Sequence, residues 1–146
     1  MPHAGQRLHL SITHSGGLGM LAVSRFQVGV DVEAVRGVRV LELMDKVLTP
    51  AEREVVLPAP EPQRTDSFLR CWTRKEAVLK AVGVGITTAL CELETYPAAP
   101  GPVELTTDAL GAPSAWVVSD VAVPPGWHAS VALPHGSSRN IGVHPR

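Results

Sequence analysis

Asp66-Ser67-Phe68-Leu69-Arg70-Cys71-Trp72-Thr73-Arg74-Lys75-Glu76-Ala77-Val78-Leu79-Lys80-Ala81-Val82 is the stretch around which the chain is organised. Apolar residues recur at Phe68, Leu69, Trp72, Leu79 and Val82, with Ala77 and Val78 between, so the spacing predicts one helix over 66–82. Gly83 follows as a stop, because glycine tolerates the left-handed conformation that ends helices. Glu76 and Lys80 stand four apart and share a face. Taken alone, that pair reads as a surface ion pair worth a few tenths of a kcal/mol. Phe68 and Trp72 read as core.

Working outward, the N-terminal side reads as three short strands. Leu8–Thr13 alternates apolar and polar residues at strand period, which puts its leucines and isoleucine on one face. His14-Ser15-Gly16-Gly17 breaks it, Leu18–Ser24 is a second run, and Val28–Glu33 a third. Strands this close in sequence suggest a meander or a hairpin pair. The third is unusual: Asp31 and Glu33, two apart, leave the same face, while Val30 and Val32 turn to the other. Two carboxylates side by side repel. Either they are solvated, or an arginine, a lysine or a divalent cation offsets them.

Between these strands and the long helix, 41–48 reads as a helix. Thr49-Pro50-Ala51-Glu52 starts another, with threonine as cap, proline at the first position and Glu52 completing a capping box. Pro58–Pro62 is a loop. Beyond Gly85 the pattern is β again: Leu90–Tyr96, Val103–Thr106, Ala115–Val123 and His128–Leu133, separated by turns at Pro97–Pro102 and Pro124–Gly126. Trp116 and Trp127 read as packing residues. Residues 1–134 are expected to form one α+β domain, and 135–146 a loose tail in which His135 and His144 are too sparse for a metal motif.

The 146 residues suffice for one domain with a real core. A net charge of −1 gives no basic excess, so no nucleic-acid partner is expected. There is no apolar run long enough for a membrane span and no signal-peptide core after Met1. Cys71 and Cys91, the two cysteines, form neither a disulfide framework nor a zinc site and read as small core residues in a reducing cytoplasm.

Three segments in order, Ser11-Ile12-Thr13-His14-Ser15-Gly16, then Val28-Gly29-Val30-Asp31-Val32-Glu33, then Phe68–Lys80 with Trp72, Lys75-Glu76-Ala77 and Lys80, resemble the signature segments of the 4′-phosphopantetheinyl transferases. Their order is similar to the Sfp-type branch, and the likeness covers roughly residues 8 to 90. The resemblance implies transfer of the phosphopantetheine arm of coenzyme A to a serine of an apo acyl or peptidyl carrier protein, releasing 3′,5′-ADP, with Mg²⁺ or Mn²⁺ as the metal. It implies that Asp31, Glu33 and Glu76 hold the metal. His14 and Ser15 would contact coenzyme A phosphates, with Lys75 a second phosphate contact. Lys80 would hold a phosphate near the leaving group. Glu76, or a water on the metal, would accept the serine proton. Glu52 matches a further acidic position of the family. These roles suit the chemistry: a hard divalent ion takes oxygen ligands, and a pyrophosphate under attack needs positive charge.

One departure stands out. Sfp-type enzymes are pseudo-dimers with the site between two similar halves, and this chain resembles the second half. A homo-oligomer, dimer or trimer, is the leading expectation, because a single half would expose an apolar face. The alternatives are a coenzyme A-binding relative without transfer activity and a half-enzyme that needs a partner subunit. Arg7, Arg25 and Arg36 are candidates to replace the missing phosphate contacts.

Overall fold

A computed structural model describes residues 7–83, 89–108, 110, 113–137 and 142–144. The chain runs β1 (His9–Ser15), β2 (Leu18–Ser24), β3 (Gly29–Ala34), α1 (Val40–Val47), α2 (Pro50–Val56), α3 (Gln63–Val82), a 3-10 turn (Leu90–Glu92), β4 (Val103–Thr107), β5 (Ser114–Asp120) and β6 (Trp127–Pro134). The strands form an antiparallel sheet ordered β3-β6-β5-β4 and a separate β1-β2 hairpin. This is the expected α+β fold. Expectations placed on residues 1–6 and on most of the tail past 137 lie outside the described residues.

Helix α3 is the spine. Its Ala77, Val78, Ala81 and Val82 pack with Leu105, Trp116, Val118 and Ala132 of the sheet. Its Phe68, Leu69 and Cys71 pack with Val40 and Val47 of α1, Leu48 just past it and Val56 of α2. Phe68 meets Trp72 edge to face, the rings 5.7 Å apart. Burial pushes the Cys71 thiol up to about 12, as fits an inert core cysteine. The helix ends on Gly83 at φ 79°, as its glycine predicted, but begins three residues before Asp66. There the Glu61 carboxylate accepts from the Thr65 amide and hydroxyl, at 3.0 and 2.8 Å, and so caps a proline-rich start. Asp31, Ser130 and Asp120 line up across β3, β6 and β5.

Three expectations need correction. His14 and Ser15 do not break β1. They are its last two residues, and Gly16 and Gly17, both at positive φ, make the turn. Of the meander and the hairpin, only the hairpin forms, between β1 and β2; β3 pairs with β6, and its other edge meets the β1 hydroxyls. Leu90–Tyr96 is not a strand but a 3-10 turn and an irregular loop. Its alternation is strand-like, yet its backbone groups are claimed by buried charges. Lys75 donates to the Leu90 carbonyl, Arg74 to those of Thr95 and Tyr96, and Glu52 accepts from the Thr95 amide.

Candidate active site

Gly29 sets the geometry of the site. A Cβ there would lie 1.9 Å from the Ala77 carbonyl oxygen, so only glycine lets the start of β3 run backbone to backbone against α3. That approach brings Asp31, two residues on, under the last turn of the helix. The Lys80 ammonium donates to the Val30 carbonyl at 3.1 Å and to Asp31 Oδ1 at 3.2 Å. Asp31 is 4% exposed. Burial, with Glu76 adding to it and Lys80 opposing, pushes its carboxyl up to about 6. Burial and then the charges of Asp31 and Glu76 push Glu33 up to about 7. Glu76 is raised too, by burial against the pull of Lys80. Asp31, Glu33, Glu76 and Lys80 therefore sense one another as one electrostatic group.

The β1-β2 hairpin lies along the free edge of β3. Ser11, Thr13 and Ser15 accept hydrogen bonds from the amides of Val30, Val32 and Ala34 at 3.0, 3.2 and 2.9 Å. Side-chain hydroxyls thus satisfy an edge that would otherwise invite another strand. The hairpin turn is anchored as well: the Trp127 indole donates to the Ser15 carbonyl at 2.8 Å. Ser15 keeps its own hydroxyl proton to donate. His14 is exposed on the opposite face of β1, beside Leu10 and Ile12, which are 63% and 68% exposed. The apolar face of this hairpin is the outer one, joined by Leu21 and Val23 of β2. Arg7, Arg25 and Arg36 are all exposed.

Lys75 leaves the set of ligand contacts. Its side chain is fully buried, 2.6 Å from Glu52 Oε1, and it donates to the carbonyls of Val47 and Leu90. An ammonium enclosed in this way does not reach a phosphate. Glu52 in turn caps α2 and accepts from the Thr95 amide and hydroxyl. Arg74, also fully buried, pairs with Asp120 at 3.2 Å and donates to three carbonyls of the 95–99 loop. These two networks fasten α3 at the two residues that precede Glu76. Sequence reasoning gave no role to Arg74, Thr13 or the Trp127 indole. Each acts through a contact distant along the chain, and no local pattern signals it.

Among the described residues no group of three or more His, Cys, Asp or Glu is drawn together tightly enough to hold a metal ion. The donor chemistry nonetheless fits a divalent cation. The acidic side chains are all oxygen donors, their charges oppose one another, and Asp31 Oδ2 is buried without any hydrogen-bond partner. A cation would remove both penalties.

Buried Asp31 and half-buried Glu33 and Glu76 thus share a strand–helix junction with Lys80 in an α+β unit. The chain belongs to the 4′-phosphopantetheinyl transferase superfamily, whose family model matches residues 27–132. It is 35% identical over 128 residues to the 4′-phosphopantetheinyl transferase HetI of Nostoc sp. (strain PCC 7120), an alignment covering 86% of this chain and 52% of that protein. To the 4′-phosphopantetheinyl transferase Sfp of Bacillus subtilis it is 24% identical, covering 87% of this chain and 55% of the relative. The chain thus spans about half the length of these two relatives. Its fold is similar to the holo-(acyl-carrier-protein) synthase of Bacillus anthracis solved in complex with CoA (3′,5′-ADP), at TM-score 0.50 and 19% identity, over 77% of this chain and 97% of that one.

Proposed function

We propose that this protein transfers the 4′-phosphopantetheine arm of coenzyme A to a serine hydroxyl of an apo carrier protein, releasing 3′,5′-ADP. The observation that carries the reading is Asp31: its Oδ1 is engaged by Lys80 and its buried Oδ2 is bare, within a family scaffold. Asp31, Glu33 and Glu76 would hold Mg²⁺ or Mn²⁺. When bound, such an ion polarises the pyrophosphate and neutralises charge that grows on the leaving group.

The chain's own residues do the rest. Lys80, 34% exposed at its side chain, can turn from Asp31 to a phosphate. The Ser15 hydroxyl at the hairpin end would be a further phosphate contact; His14, exposed on the opposite face of β1, would meet a phosphate only on that outer side. Glu76 accepts the serine proton. The serine oxygen forms its bond to the β-phosphorus of coenzyme A as the bond to 3′,5′-ADP breaks.

The outward apolar face of Leu10, Ile12, Leu21 and Val23 supports a site closed by a second α+β unit packed on the hairpin. Release of 3′,5′-ADP, followed by chromatography, tests the reaction. It should require carrier protein, coenzyme A and a divalent cation together, and Asp31→Ala or Glu76→Ala should abolish it while circular dichroism stays unchanged. Undiminished release by either variant would defeat these assignments.

A further inference from the structure

The two oxygens of Asp31 are treated differently by the protein. Oδ1 receives the Thr13 hydroxyl at 3.4 Å and the Lys80 ammonium at 3.2 Å. Oδ2 receives nothing and is buried. Thr13 is itself fixed, 5% exposed, with its Oγ1 accepting from the Val32 amide at 3.2 Å, so its proton is left to point at the carboxylate. Ser11 and Ser15 accept in the same way from Val30 and Ala34, but among the described contacts neither donates to a carboxylate. Of the three hydroxyls along β1, only that of Thr13 does so. Lys80 is the less constant partner. It sits on a flexible stem, is partly exposed, and would be drawn to phosphate once coenzyme A binds. Thr13 then remains as the donor on Oδ1.

We propose that Thr13 is a positioning residue for the metal: its hydroxyl holds Asp31 through Oδ1 and so presents Oδ2 as the coordinating oxygen for a divalent cation. This rests on the reading of Asp31 as a metal ligand. Hydrogen bonds behind a metal ligand fix its orientation, and losing one commonly weakens metal binding about 10-fold or more.

The test is titration with Mn²⁺ alone, followed by the electron paramagnetic resonance signal of the free ion, with coenzyme A absent and then saturating. Thr13→Val removes the hydroxyl and nearly keeps the shape, and should raise the Mn²⁺ dissociation constant about tenfold. Thr13→Ser keeps the hydroxyl and should restore binding. Ser11→Ala removes the equivalent bond to a β3 amide without touching a carboxylate. If hydroxyls merely tie β1 to β3, it should weaken Mn²⁺ binding as much as Thr13→Val; the proposal expects it to leave binding unchanged. Thr13→Ala stands in should the valine variant not fold. Asp31→Asn separates the two levels of the argument. If it loses Mn²⁺ while Thr13→Val binds normally, the positioning role is overturned and the metal reading survives. If Asp31→Asn binds as tightly as the unaltered chain, or that chain binds no Mn²⁺ in either condition, both are overturned.

Discussion

Replacing Lys75 by methionine separates the structure's account of that residue from the family expectation of a phosphate contact. The structure encloses the ammonium completely, with Glu52 Oε1 at 2.6 Å, the Leu90 carbonyl at 2.8 Å and the Val47 carbonyl as a third partner. Methionine fills much of the volume but leaves the Glu52 carboxylate, also fully buried, without its counter-charge. Removing one partner of a buried pair costs about 3–5 kcal/mol, mainly the penalty of the stranded charge. Whole domains are stable by only about 5–15 kcal/mol, so this is a large fraction. With a urea slope of about 2 kcal/mol per molar, the unfolding midpoint should fall by roughly 2 M. Adding Glu52→Gln removes the stranded charge and should recover much of that loss. Coenzyme A affinity, measured calorimetrically on folded protein, should be unchanged in both variants. A Lys75→Met protein with an unaltered urea midpoint and a tenfold weaker coenzyme A affinity would refute the reasoning.

Two further predictions follow from the same geometry. Gly29→Ala would force the Ala77 carbonyl from 1.9 Å to the ordinary 3.4 Å, parting β3 from α3. At a cost of about 3 kcal/mol the melting temperature should drop by roughly 6–12 °C, and an unchanged calorimetric melt would contradict the close approach. The second concerns pH. Asp31 and Glu33 rise from 3.8 and 4.5 to about 6 and about 7 on folding. The folded state therefore prefers their protonated forms, and the stability they contribute is present at acid pH and lost as pH rises through that window. Metal-free protein should lose stability from these groups between about pH 4 and 7, and Mn²⁺ should raise the melting temperature more above that window than below it. A stabilisation by Mn²⁺ that is the same on both sides would sink the carboxylate assignment.

Much of the site was legible because its pieces are local. The period of two placed Asp31 and Glu33 on one face, and the spacing of four placed Glu76 beside Lys80. Gly83 marked the helix end. What was not legible depends on which of two faces turns inward. Alternation in β1 shows that Leu10 and Ile12 share a side, but not that the hydroxyl side is the buried one, because that is decided by the unpaired amides of β3. In the same way, periodicity on α3 could not say that Lys75 points at Glu52 whereas Lys80 points at Asp31. The segment Leu90–Tyr96 failed for a related reason. Its backbone partners are side chains from α2 and α3, 15 to 43 residues away along the chain. Trp127 was read as packing, and its indole proves to hold a carbonyl 112 residues distant.

The central claim is tested most directly by the intact mass of an apo carrier protein incubated with this protein, coenzyme A and Mg²⁺, alongside an identical mixture containing EDTA. The account predicts a mass gain equal to one phosphopantetheine group, abolished by EDTA and absent with Asp31→Ala. No gain on any of several acyl and peptidyl carrier proteins, despite calorimetric binding of coenzyme A, would contradict transfer and leave a protein that binds coenzyme A without using it.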